Sequence, residues 1–207
     1  MFVELDVLNQ QTKVTIDIEK LRQAAMAVLQ AEHVASAVLS VTVVDNSTIH
    51  VINRDHLNHD YPTDVISFQL EFSSDAELPP EDDQDDNWSG EDDPDSTADE
   101  EDEMESDDAS DGSPDSISVG TLRAEGCQIE GEVIVSAEYA EQMAGEAGWT
   151  AMDELTLYVV HGILHICGYD DLTTAEKTVM RQREVAVMKT LGLNPSYAAN
   201  DLEDTSK

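Results

Sequence analysis

The stretch Leu155-Thr156-Leu157-Tyr158-Val159-Val160-His161-Gly162-Ile163-Leu164-His165-Ile166-Cys167-Gly168-Tyr169-Asp170-Asp171 decides how this chain folds. From Ala151 to about Cys167 the pattern is helical, and Leu155, Leu157, Val159, Val160, Ile163 and Leu164 spread around almost the whole circumference. A helix that is apolar nearly all round belongs inside a protein, covered on several sides. Gly168 ends it, and Tyr169-Asp170-Asp171 is the turn by which the chain leaves. The remaining segments must supply its cover.

Val3, Leu5 and Val7 alternate with polar residues, a strand pattern whose edge Val14 and Ile16 are expected to extend. Asp17 to His33 reads as a helix, with Ile18, Leu21, Ala25, Val28 and Leu29 at helical spacing and Asp17 and Glu19 suited to its N-terminus. Ala37 to Val44 is a β-branched run, expected as a buried strand. Asn46-Ser47 is expected to cap a short helix through about Leu57, and Val65 to Leu70 and Gly131 to Ser136 are further strands. Ser136 caps a helix from Ala137 to Ala147 that Gly148 ends, and an amphipathic last helix runs from Thr173/Thr174 through Leu191. Strands interspersed with helices predict an α+β domain: a small mixed β-sheet of about four strands with helices packed on it.

One segment interrupts this order. Residues 73–118 are almost wholly Asp, Glu, Ser, Pro and Gly, and no Lys or Arg falls between Arg54 and Arg123. Such a composition cannot bury enough apolar surface to offset the entropy of ordering it, so an acidic disordered insertion is expected. It splits a single domain into 1–72 and 119–195, which is tolerable because closure entropy grows only with the logarithm of length. Residues 196–207 are expected to fray. The insertion holds somewhat over half of the formal net charge of −36. That balance argues for high solubility and against indiscriminate binding to nucleic acid or an anionic membrane. Cys127 and Cys167 form no CxxC pair and read as reduced thiols. With no basic, apolar leader and no stretch near the ~20 apolar residues that span a bilayer, a soluble cytoplasmic protein is expected.

The chemistry sits at the end of the apolar helix. His161 and His165, four residues apart, lie one above the other on a single face. That spacing suits a divalent ion such as Zn²⁺, with metal–nitrogen distances of about 2.0–2.1 Å. Once Gly168 turns the chain, the carboxylate of Asp171, or that of Asp170, can reach the same ion. Three protein ligands leave a position open for water, as in catalytic zinc sites, where the ion brings the pKa of that water towards neutrality. A histidine pair at this spacing also arises by chance; the Gly-Tyr-Asp-Asp that follows is what points to metal. Gly162 stands where HExxH proteases carry their glutamate base, so peptide hydrolysis by that route is not expected. Glycine there permits the close approach of another backbone or of a substrate. Cys167 reads as a buried thiol rather than a fourth ligand.

The same string resembles the signature of the YbeY family of endoribonucleases, H-G-x-L-H-L-x-G-Y-D-H, which His161, Gly162, Leu164, His165, Gly168, Tyr169 and Asp170 match. Asn53-Arg54, Asp60 and Pro62-Thr63-Asp64-Val65-Ile66-Ser67-Phe68 resemble its N-R…D-x-P-T-D-V-L-S-F segment, and Gly131 to Ser136 its G-D-I-x-I-S strand. Met180 and Glu184 fall where its last helix carries M…E. The order and spacing hold over the whole domain apart from the acidic segment, where the family is much shorter. Two departures stand out. Asp171 replaces the family's third histidine ligand, which makes the site harder and more negative. Leu57 occupies the place of an arginine held to meet RNA or act in catalysis, and His56, His59 and Arg54 are the neighbours able to compensate.

The resemblance implies a metal-dependent endoribonuclease of single-stranded RNA, acting in maturation of the 16S rRNA 3′ end and in ribosome quality control. Its partners would be ribosomal RNA and the small ribosomal subunit or its proteins, with no membrane. His161, His165 and Asp171 would hold one Zn²⁺ and carry the catalysis. Arg54, Thr63, Asp64, Ser67, Arg123 and Tyr169 are the candidates for contact with substrate. Each has a plainer reading: surface arginines, a turn or cap at Thr63-Asp64-Ser67, and a Tyr169 that packs beside the metal loop instead of stacking on a base. The acidic segment reads first as a solvated spacer, then as a site for a basic partner or an RNA mimic that competes for the cleft. Two other functions stay open: a metal-dependent hydrolase of a non-RNA substrate, and a non-catalytic ribosome-assembly factor with a structural metal.

Overall fold

Val3, Leu5 and Val7 lie in strand β1 (Phe2–Asn9), and the β-branched run lies in β2 (Ser36–Val44), in a computed structural model that describes residues 1–74 and 122–195. Helix α1 (Ile18–Ala31) joins these strands and α2 (Asn46–Leu57) follows. Then come β3 (Val65–Ser74), β4 (Cys127–Ser136), α3 (Ala137–Ala147), α4 (Ala151–Ile166) and α5 (Thr174–Thr190). The sheet order is β1-β2-β4-β3, with β1, β2 and β4 parallel and β3 antiparallel to β4. This is the mixed four-stranded α+β sheet that the sequence predicts.

The apolar helix is the centre of the core. Leu155, Val159, Val160, Ile163, Leu164 and Ile166 of α4 are buried with Leu21, Val28 and Leu29 of α1, Val133 and Val135 of β4, and Met180 and Met188 of α5. Close contact with the sheet depends on Gly162, where a Cβ would stand 2.7 Å from Val133 Cγ1 and 3.0 Å from Val65 Cγ2. Of the two expected uses of that glycine, the structure shows helix-on-sheet packing. Helix α2 covers the opposite face, where Ile49 is buried with Val44, Ile66 and Ile134.

Several boundaries differ from the sequence reading. Val14 and Ile16 do not extend β1. The Gln11 side chain bends the chain there, its Nε2 donating to the Val14 carbonyl and its Oε1 accepting from the Lys13 and Val14 amides, while both apolar residues still pack on the core. The cap of α2 is Asp45 rather than Asn46-Ser47: its carboxylate accepts from the Thr48 amide and the Ser47 hydroxyl, both at 2.8 Å. Helices α4 and α5 open with reciprocal capping boxes, Thr150 with Asp153 and Thr173 with Glu176, a T-x-x-D/E signal present in the sequence.

Strands β3 and β4 are longer than expected. Ser73 and Ser74, assigned from composition to the acidic insertion, pair with Gln128 and Cys127, because a ladder partner satisfies their backbone groups. A bulge between Gln69 and Glu71 shifts the alternation of β3, so that Phe72 lies within 3.7 Å of where a Cβ on Gly168 would stand. The rest of the expected insertion and the tail 196–207 lie outside the described residues. Cys127 and Cys167 are both buried and free. No helix among the described residues is long and apolar enough to cross a membrane.

Candidate metal centre

Two histidines one helical turn apart can be aimed at one point only if each ring is held from behind, and both are. His161 Nδ1 lies 2.6 Å from Oε1 of Glu184, on α5, and His165 Nδ1 lies 2.9 Å from the carbonyl of Tyr169. A carbonyl can only accept, and so can an ionised carboxylate; both Nδ1 atoms therefore carry a hydrogen, and in the neutral rings both Nε2 atoms present lone pairs. These Nε2 atoms are 2.9 Å apart. Two lone pairs at that distance repel unless a cation, proton or metal, is shared between them.

The carboxylate of Asp171 completes the group. Its Oδ2 lies 3.9 Å from His161 Nε2 and its Oδ1 3.7 Å from His165 Nε2. Among the described residues, His161, His165 and Asp171 each offer a ligand atom within 4.8 Å of the others. Donor atoms of one ion with bonds of about 2.0–2.2 Å stand at roughly such separations, so the donor set fits a divalent cation of borderline softness. Of the two aspartates left open by the sequence, Asp171 faces the histidines. Asp170 instead turns its Oδ1 back to the Asp171 amide, 2.8 Å away. The side chains of His161 and His165 are 19% and 25% exposed and that of Asp171 is 37% exposed, so the group opens to solvent on the aspartate side.

Glu184 is the residue that the sequence reading left without a role. It is fully buried on α5 and also accepts from Arg181 Nη1 at 3.1 Å. Burial alone would lower the pKa of His161, but the hydrogen bond and charge of Glu184, helped by Asp171 and Asp64, outweigh it and hold that pKa above its ordinary value. His165 has no such partner. Burial, then the neighbouring His161, push it below its ordinary value, a shift towards the neutral ring that a metal ion binds.

Beside the histidines is a cleft of about 360 Å³ lined by Ser67, Gln69, His165, Ile166, Gly168, Tyr169 and Asp170. Ser67 and Gln69 share the α4-facing side of β3 with Val65, and Gln69 Nε2 donates to the Ile166 carbonyl at 2.8 Å. The alternation of β3 would have put Gln69 on the same face as Ser67, a signal the sequence carried. Arg123 flanks the cleft, its Nη1 donating to the Gly168 carbonyl at 2.6 Å. Asp64 lies near enough to act on His161, but its carboxylate is engaged locally, accepting from the Thr63 hydroxyl and the Val65 amide at 2.9 Å each.

Other candidates fall elsewhere. Arg54 and His56 belong to α2, on the far side of the sheet, where Arg54 pairs with Asp55 and His56 meets the edge of Phe68. Tyr169 takes the packing role: the residue is 3% exposed, with the guanidinium groups of Arg123 and Arg183 lying 5.1 Å and 6.0 Å from the centre of its ring. Cys167 is fully buried, which pushes its thiol pKa up, and it stands outside the ligand group.

A family model described as Endoribonuclease YbeY matches residues 6–192. An Endoribonuclease YbeY of Rhodopirellula baltica is 32% identical over 84% of this chain, which spans 64% of that protein's length. One from Geobacillus thermodenitrificans is 31% identical over 93% of this chain and 99% of its own. The solution structure of TM1509 from Thermotoga maritima aligns over 99% of both chains with a TM-score of 0.47 at 19% identity. The matched span runs from the first strand through the candidate metal loop to the end of the last helix, and by it this chain belongs to the YbeY family of endoribonucleases.

Proposed function

We propose that this protein is a zinc-dependent endoribonuclease that cuts single-stranded RNA with His161, His165 and Asp171 as its metal ligands. The observation that carries the reading is the pair of Nε2 atoms, 2.9 Å apart, each with its ring fixed from behind and a carboxylate within 4 Å. A divalent cation there supplies Lewis-acid chemistry, acidifying water and polarising a phosphate oxygen. The protein's own part is to aim both Nε2 atoms at one point, to shape the adjoining cleft, and to offer RNA the Ser67 hydroxyl and the Arg123 guanidinium at its rim. Family membership supports RNA as the substrate; the further proposal, carried by the resemblance, is ribosomal RNA, with the 3′ end of 16S rRNA and ribosome quality control as the setting, the small subunit as partner and the cytoplasm as location.

Gly162 in place of a glutamate base tells against peptide hydrolysis as the competing chemistry. A structural metal in a non-catalytic assembly factor draws support from Leu57, which puts no arginine at its position. The test is elemental mass spectrometry of dialysed protein and of His165→Ala, followed by cleavage of a single-stranded RNA by both. The expected result is about one zinc per parent chain, absent from the variant, and RNA cut by the parent alone. No retained metal in the parent sinks the proposal; metal without cleavage selects the assembly factor.

A further inference from the structure

A buried polar network lies behind the metal loop, and the proposed chemistry makes no use of it. Glu32, next after α1, is fully buried beneath the helices. A lone carboxylate there would be strongly disfavoured, and this one is matched. It accepts from the Tyr169 hydroxyl at 2.8 Å and from Arg183 Nε at 2.8 Å, and it also accepts from Arg183 Nη2. Arg183 Nη2 donates as well to the Ala31 carbonyl at 3.2 Å, so the α5 guanidinium grips both the side chain and the backbone at the end of α1.

Tyr169 links this ion pair to the metal centre. Its phenol is held by Glu32, its amide donates to the Leu164 carbonyl at 3.1 Å, and its own carbonyl accepts from His165 Nδ1. On one side Gly168 turns in the left-handed region at φ +86°, and on the other, two residues on, stands Asp171. Between Gly168 and the Thr173 cap the chain has no helix or strand to define its path, so the side chain of Tyr169 is its anchor in the core.

We propose that Glu32 and Arg183 are positioning residues for the metal centre and act through Tyr169. The ion pair fixes the phenol; the phenol fixes the peptide that orients His165; the same anchor sets where Asp171 stands. The inference rests on the metal reading above, and it separates from simple structural glue in one respect. Glue lowers the unfolding temperature and leaves the metal affinity of the folded protein alone.

The experiment measures zinc affinity by chelator competition, well below the unfolding temperature, for the full chain, Tyr169→Phe and Arg183→Lys. Imidazole ¹⁵N shifts in the metal-free proteins report the His165 tautomer. Tyr169→Phe removes the phenol oxygen and keeps the carbonyl that meets His165, so by loosening that carbonyl it is expected to weaken zinc binding about tenfold, the low end of the range for losing a ligand's direct partner, and to erode the Nδ1–H form of His165. Arg183→Lys keeps the charge, loses the fork, and is expected to fall between; it decides the matter should Tyr169→Phe not fold. A parent that binds zinc while the folded variants bind equally well, with unchanged ¹⁵N shifts, overturns the positioning role alone. A parent that binds no zinc overturns the metal reading and this inference with it.

Discussion

Glu184 shows how much a single buried carboxylate can set. It is fully buried, holds His161 Nδ1 at 2.6 Å and takes a further hydrogen bond from Arg181. Glu184→Gln keeps the shape and removes the charge, so zinc affinity by chelator competition is expected to fall ~10–100-fold. An unchanged affinity would mean that a neutral acceptor orients the ring as well and that the charge of Glu184 is not needed. Asp171 is the other residue with an individual consequence, since the family signature has histidine there. A carboxylate is a harder donor than imidazole and admits oxygen-loving ions more readily. Asp171→His is therefore expected to bind zinc at least as tightly and to lose affinity for Mn²⁺, read by titration of each metal. Equal loss of both would show that the aspartate fits this loop in a way histidine cannot.

At the scale of the element, α2 offers a pH test because its cap lies away from the candidate metal site. Hydrogen bonds from Thr48, then Ser47, hold the Asp45 carboxyl at about 2 against an ordinary 3.8. A depressed carboxyl pKa contributes stability above its unfolded value, and the contribution disappears as pH falls through the folded value. Asp45→Ala is expected to cost about 1 kcal/mol in urea unfolding near pH 6. The gap from the parent should close as pH drops from 3.8 towards about 2. Asp45→Asn keeps the cap without the charge, so its stability should lack that pH dependence. A parent–alanine gap that stayed constant down to pH 2 would place the stabilisation in something other than the ionised cap.

For the molecule as a whole, β3 and β4 are paired up to Ser74 and Cys127, so the chain leaves and returns at one edge of the sheet. Replacing residues 75–121 with a Gly-Ser linker about a quarter as long is expected to leave the fold intact and add ~1.2 kcal/mol, at about 0.6 kcal/mol per halving of the loop. Removing over half of the net charge should also tighten RNA binding, most of all at low salt, where phosphate contacts are least screened. Loss of folding would show that the acidic segment is part of the domain; unaltered RNA affinity would make it a spacer out of reach of the cleft. The sequence by itself determined the α+β class, the buried α4, the pair His161 and His165, and the turn at Gly168, because periodicity, β-branching and i,i+4 spacing are local properties that the chain carries wherever it goes. It also narrowed the third candidate ligand to Asp170 or Asp171. Only the tertiary structure decided the rest. Glu184 reaches His161 from 23 residues along the chain and Glu32 reaches Tyr169 from 137. Arg54 falls on the face away from the histidines, and Gln69 enters the cleft beside Ser67. These outcomes depend on how α1, α5 and β3 are laid around α4, and a contact made across the core leaves no period in the sequence from which to read it.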